Sequence, residues 1–96
     1  PPHNELVALH RPGKQWSSEG LAEHLSSAAM RSVPGITFVI GGAYGLSAEL
    51  IGRADRLFSL SAMTLTHDMA RLVLTEQLYR AGTILRGEPY HKGLVG

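Results

Sequence analysis

Apolar positions along this chain fall into short continuous runs and longer helical stripes, and the two kinds alternate. Leu6-Val7-Ala8-Leu9 is an unbroken apolar run closed by Arg11-Pro12-Gly13, and proline followed by glycine is a strong turn signal. Residues 5–9 are therefore expected to form a buried strand followed by a loop. From Ser17 or Ser18 the spacing changes. A serine in the N-cap position, Glu19 in the first turn, and Leu21, Leu25, Ala28 and Ala29 at intervals of three and four predict a helix that Pro34-Gly35 stops. Ile36-Thr37-Phe38-Val39-Ile40 places β-branched and aromatic residues on both parities, the pattern of a strand covered on both faces, and predicts a central parallel strand. It opens into Gly41-Gly42-Ala43-Tyr44-Gly45, after which Ser47 caps a short helix ending near Ala54. Leu57-Phe58-Ser59-Leu60 reads as a third strand, and residues 61–66 as a loop without glycine. The longest helical pattern runs from Thr66 or His67 to about Leu85, with Met69, Leu72, Val73, Leu78, Tyr79 and Ala81 available to a core-facing stripe. Gly87 and Pro89 then release the chain into Tyr90-His91-Lys92.

Strand–helix alternation of this kind predicts an α/β domain with a mainly parallel sheet, right-handed crossovers and helices on both faces. Three strands make a thin sheet, so a further segment or a partner chain is expected along its edge. The first apolar run lies close to the first residue and no initiator methionine precedes it. Residues 1–96 are accordingly expected to be a single domain whose N-terminal part is missing. At 96 residues and 44% hydrophobic content there is room for one core only. Nine Lys and Arg against eight Asp and Glu give a formal charge of +1, which excludes a general polycationic nucleic-acid coat and makes any phosphate contact local. Cysteine is absent, so neither a disulfide framework nor a thiolate metal site is available. No apolar run approaches the roughly eighteen residues needed to cross a bilayer, and a soluble domain is expected.

Candidate chemistry concentrates in three places. The glycine-rich segment 41–45 follows the carboxyl end of a strand, where open α/β sheets bind ligands. Its spacing matches neither GxGxxG nor GxxxxGK[ST], so it is either a tight strand-to-helix turn or a ligand loop of another kind. Leu60-Ser61-Ala62-Met63-Thr64-Leu65 alternates apolar and small polar side chains. It is either a helix-capping loop or the apolar, hydroxyl-bearing wall that suits an adenine ring. Tyr90-His91-Lys92 combines a phenol, an imidazole and a cation, and is either a solvated tail or a base-contacting one. The five histidines show no HxxxH or HExxH spacing, so no zinc site is expected. His24, beside Glu23, reads as a solvated surface residue, and His67 as structural at a helix start. Arg71 and Arg80 lie nine residues apart, which at the helical 100° per residue sets them on opposite faces. No nucleophile triad or paired-carboxylate spacing stands out, which disfavours a hydrolase.

Taken in order, Pro12-Gly13-Lys14, then residues 38–47, then Leu60-Ser61-Ala62-Met63-Thr64, then Leu78-Tyr79-Arg80-Ala81, then Pro89-Tyr90-His91-Lys92 resemble the bacterial RlmH type of SPOUT methyltransferase. The resemblance covers nearly all of this chain, but about the C-terminal two thirds of a typical member. It implies an α/β domain with a C-terminal trefoil knot, a cytoplasmic homodimer, and methyl transfer from S-adenosylmethionine to N3 of a pseudouridine in large-subunit (23S) ribosomal RNA. Carried over position by position, it implies cofactor contacts at Leu9 and His10, at Gly41, Gly42 and Gly45, and at Leu60, Ser61, Ala62, Met63, Thr64 and Leu65. It further implies that Tyr90, His91 and Arg80 serve the chemistry, and that Lys92, Arg71 and Lys14 meet RNA. His10 stands where many members carry an acid or another small polar residue, Thr66 where a proline is frequent, and Gly93-Leu94-Val95-Gly96 runs past the usual end. Two other readings compete: a catalytically silent knotted module of the same family, and an unrelated small α/β binding domain that converged on a glycine turn.

Overall fold

A computed structural model of the chain describes residues 3–42 and 45–92, and the side chains of all of these except His91 and Lys92. Three strands, β1 (Glu5–Gln15), β2 (Ile36–Ile40) and β3 (Arg56–Ser59), alternate with three helices, α1 (Ser18–Met30), α2 (Ala48–Arg53) and α3 (His67–Leu85), and a 3₁₀ turn follows at Pro89–Lys92. The sheet is parallel, in the order β2-β1-β3. This is the expected α/β alternation, with one rearrangement. β1 is the central strand, and β2, expected at the centre, lies at an edge among the described residues. Both crossovers return the chain to β1, one on each side, so Val7 and Ala8 are fully buried while Thr37 of β2 is exposed.

β1 also runs further than its apolar segment. It pairs with β3 as far as Leu9↔Phe58, arches outward over residues 10–13, and resumes at Lys14↔Phe58. The turn signal at Pro12-Gly13 thus makes an arch within a strand and does not end it. Glycine is required there, since a Cβ on Gly13 would sit 2.7 Å from the carbonyl carbon and oxygen of Leu57.

α1 and α3 pack against each other on one side of the sheet. Val7, Phe58 and Leu74 form one core cluster with Leu9, Phe38, Ile40 and Leu78 around it. Leu21, Ala22 and Ala81 form a second, and Trp16 and Phe38 join the two. α2 is the remaining helix and meets β1. The stripe expected on α3 needs correction. Its buried residues are Ala70, Leu74, Arg80, Ala81 and Thr83, whereas Leu72 and Tyr79 are 62% and 58% exposed and Met69 is also exposed. The helix is apolar on two faces, and the smaller residues lie inward where α1 approaches closely.

Helix ends follow the expected chemistry. The Ser17, Ser47 and Thr66 hydroxyls accept from the amides of Gly20, Leu50 and Met69, satisfying donors that have no partner inside the helix. α1 closes before Pro34-Gly35: Ser32 adopts φ 60°, and the amides of Ser32 and Val33 donate to Ala29 and Ala28. His24 is not the solvated residue the sequence suggests. Its Nε2 lies 2.5 Å from Glu5 Oε1, both side chains are largely buried, and its ring stacks on Trp16.

Candidate active site

Because all three strands are parallel, their carboxyl ends share one edge of the sheet, and the segments leaving them meet there. They enclose a cleft of about 360 Å³. Leu9 and the arch residues His10, Arg11 and Pro12 enter it from β1, Ile40 from the end of β2, Gly41, Gly42, Gly45 and Leu46 from beyond β2, and Leu60, Ser61, Met63, Thr64 and Leu65 from beyond β3. His67 and Ala70 of α3 close it. Segments more than forty residues apart in sequence therefore form one wall.

The glycine segment owes its shape to close backbone contacts. The Gly45 amide donates to the Gly42 carbonyl at 3.0 Å, and Gly45 adopts φ +79°. A Cβ on Gly41 would lie 2.7 Å from the Gly45 carbonyl carbon. Ala43 and Tyr44 lie outside the described residues. Beyond β3, the buried Ser59 hydroxyl donates to the Ser61 carbonyl, and the Ser61 hydroxyl accepts from the Met63 amide, both at 2.9 Å. The Ser61 side chain thus holds the loop, which leaves main-chain groups and Leu60 and Leu65 to form the wall.

Every cofactor position inferred from the sequence lines this cleft except Ala62, which is exposed and absent from the lining. The lining also includes Arg11, Pro12, Ile40, Leu46, His67 and Ala70, which sequence reasoning did not assign to the site. The arch supplies Arg11 and the start of α3 supplies His67, and the only available signal was adjacency to the segments already chosen. Among the described residues no carboxylate lines the cleft, and the ionisable lining groups are His10, Arg11 and His67. Apolar walls, exposed main-chain groups and glycines that leave room beside the backbone fit an adenosyl group.

A second cluster lies further along α3. Arg80 is 8% exposed, its Nη2 donates to Glu76 Oε2 at 2.6 Å, and its guanidinium lies 4.9 Å from the centre of the Tyr90 ring. Tyr90 OH donates to the same Glu76 oxygen at 3.2 Å, and its ring meets Tyr79 edge-on at 5.0 Å. Neither Arg80 nor Tyr90 lines the cleft. Ala70, which does, precedes Arg80 by ten residues, about 15 Å along a helix. Lys14 and Arg71 are exposed, and the side chains expected of His91 and Lys92 lie outside the described residues. Just past α3, Arg86 donates to both oxygens of Glu88. That hydrogen bonding, more than the charge itself, holds the Glu88 carboxyl below its usual range and raises the Arg86 guanidinium.

A parallel α/β domain with a nucleoside-sized cleft at its strand ends defines a broad class, and comparison with known proteins narrows it. Residues 1–91 match the family described as "Predicted SPOUT methyltransferase", and the chain belongs to that family. It is 59% identical over 86 residues to "Ribosomal RNA large subunit methyltransferase H" of Syntrophotalea carbinolica, covering 90% of this chain and 55% of that protein. Proteins of the same name from Halothermothrix orenii and Chromobacterium violaceum are 47% and 53% identical over 92 residues, each match covering 96% of this chain and 58% of the relative. The chain therefore spans a little over half the length of these relatives. Among the described residues, no helix is long and apolar enough to cross a membrane.

Proposed function

We propose that the chain is part of an S-adenosylmethionine-dependent RNA methyltransferase, acting in the cytoplasm on N3 of a pseudouridine in large-subunit ribosomal RNA. The observation that carries this reading is the convergence of Leu9, Gly41, Leu60, Ser61, Met63, Thr64 and Leu65 around one cleft. Bound there, the cofactor supplies a methyl group already activated by its sulfonium, so no nucleophilic side chain of the protein is required. Leu9, Ile40, Leu60 and Leu65 would exclude water from the adenosyl group, and the glycine turn would bring main-chain groups close to it. The remaining task for the protein is to orient the base and accommodate loss of the N3 proton. We assign that task to the turn carrying Tyr90 and His91, with Arg80 balancing developing negative charge through its neighbours, and contact with RNA phosphate to Lys14, Arg71 and Lys92.

The separation of this cluster from the cleft along α3 supports a homodimer, in which one copy's tail can approach the other's cleft. Met69, Leu72 and Tyr79, at helical spacing on the outer face of α3, form an apolar surface fit for such a contact. The trefoil knot of the family is part of the same reading. Calorimetry with S-adenosylmethionine tests the cleft, and methyl transfer to ribosomes tests the reaction. The expected outcome is measurable cofactor binding, with His91→Ala abolishing transfer while leaving cofactor affinity within about twofold. Unchanged turnover in that variant would remove His91 from the mechanism, and absence of cofactor binding would remove the reading itself. A protein that binds cofactor and transfers nothing to ribosomes would be the catalytically silent alternative, which the distance between cluster and cleft in one chain favours if no dimer forms.

A further inference from the structure

Neither the sequence nor the cleft singles out Glu76 on α3, yet three donors converge on its carboxylate. Arg80 Nη2 and Tyr90 OH share Oε2, at 2.6 and 3.2 Å, and Gln77 Nε2 reaches Oε1 at 2.8 Å. The Gln77 side chain continues the line, its Oε1 accepting from the Ser18 hydroxyl in the first turn of α1 at 2.5 Å. One chain of hydrogen bonds thus crosses from α1 through α3 to the 3₁₀ turn at Pro89–Lys92.

We propose that Glu76 is a positioning residue that latches this terminal turn to α3 and so fixes the approach of the groups it carries to the target base. The inference rests on the methyltransferase reading above. An ordinary helix-surface pair four residues apart would not account for these contacts. Arg80 has a side chain only 10% exposed, so its charge needs a fixed counter-charge, and only a carboxylate can balance it while also accepting from the phenol. The Tyr90 ring lies over the same guanidinium, an attraction that requires Arg80 to stay in place. Removing the Glu76 charge frees Arg80 and weakens the acceptor for Tyr90 together, and the turn loses both attachments. Glu76 does not line the cleft, and it acts through Tyr90 and Arg80.

The test compares the full chain with Glu76→Gln and Tyr90→Phe, reading amide exchange of the terminal turn, S-adenosylmethionine affinity by calorimetry, and kcat and KM for ribosomes. Trp16 emission monitors folding. For Glu76→Gln, exchange of the amides of residues 90–92 is expected to rise at least tenfold. Cofactor Kd should stay within twofold, and kcat should fall at least tenfold with KM changed less than threefold. Tyr90→Phe removes one attachment without altering α3, and should raise exchange by a smaller factor. If Glu76→Gln does not fold, this variant decides: exchange within twofold of the parent overturns the latch. Unchanged exchange in a folded Glu76→Gln protein also overturns it, and faster exchange with unchanged kcat overturns the positioning role. Absence of methyl transfer in the parent removes the reaction and with it any role for Glu76 in that reaction, while exchange still reports independently whether the carboxylate holds the turn.

Discussion

Ser32 holds φ 60°, and among the described residues it is the only non-glycine in that region. A side chain there costs about 1–2 kcal/mol of backbone strain, and glycine would relieve it at a smaller cost in chain entropy. Ser32→Gly is expected to raise unfolding free energy by about 0.5–1 kcal/mol, measured by urea denaturation followed through Trp16. Gly13 is the opposite case. Its missing Cβ would collide with the Leu57 main chain at 2.7 Å, and a backbone neighbour cannot swing aside as a side chain can. Gly13→Ala is therefore expected to cost about 1–3 kcal/mol in the same assay, the usual range for overpacking. It should also disturb the arch that brings His10 and Arg11 to the cleft. At this scale the sequence was legible where a residue acts on its own backbone, as the caps Ser17, Ser47 and Thr66 do. It was not legible where a side chain's role depends on a distant strand. Nothing near His24 announces that Glu5, nineteen positions earlier, will meet it in the interior.

Elements were easier to find than to orient. β2 and α3 occupy the positions their patterns indicate, because alternation of runs and stripes reports local geometry. The face that α3 turns inward was legible in part: Leu78 and Ala81 pack into the core as their spacing indicates, whereas Ala70 and Leu74 are buried where Met69, Leu72 and Tyr79 had equal standing by periodicity. The centre of the sheet escaped for a related reason: β1 and β2 carry equally apolar runs, and only the crossovers decide between them. Past the end of α3, the Glu88 carboxyl is held low by Arg86. This pair favours the folded form above the ordinary glutamate range, and that contribution is lost as pH falls through the lowered value of Glu88. Both side chains are exposed, so the effect is local. Carbon-detected NMR titration should show Glu88 titrating below a typical glutamate, and Arg86→Ala should return it to the usual range.

In the whole molecule the cleft was legible because a parallel sheet aligns the ends of its strands. Once Gly41 and Leu60 were placed after strands, their meeting followed from topology. The distance between cleft and terminal turn was not legible, since sequence order gives no length along a helix axis relative to a pocket. Dimerisation through the outer face of α3 offers one resolution of that distance. Leu72→Glu is expected to leave monomer stability within about 0.5 kcal/mol, as for most surface substitutions, and to halve the mass seen by sedimentation. A parent that sediments as a monomer would count against the contact.

The central place of β1 also bears on how the chain reaches its native state. Its neighbours are both later in sequence: Glu5 pairs with Ile36, and Val7 with Arg56. During synthesis this segment emerges before either neighbour exists, with its hydrogen-bonding groups open on both sides. Pairing with β2 and with β3 each closes a long loop, whose entropic cost must be met first. Among the described strands, the central one is thus made before both of its partners and cannot complete these pairings until they arrive.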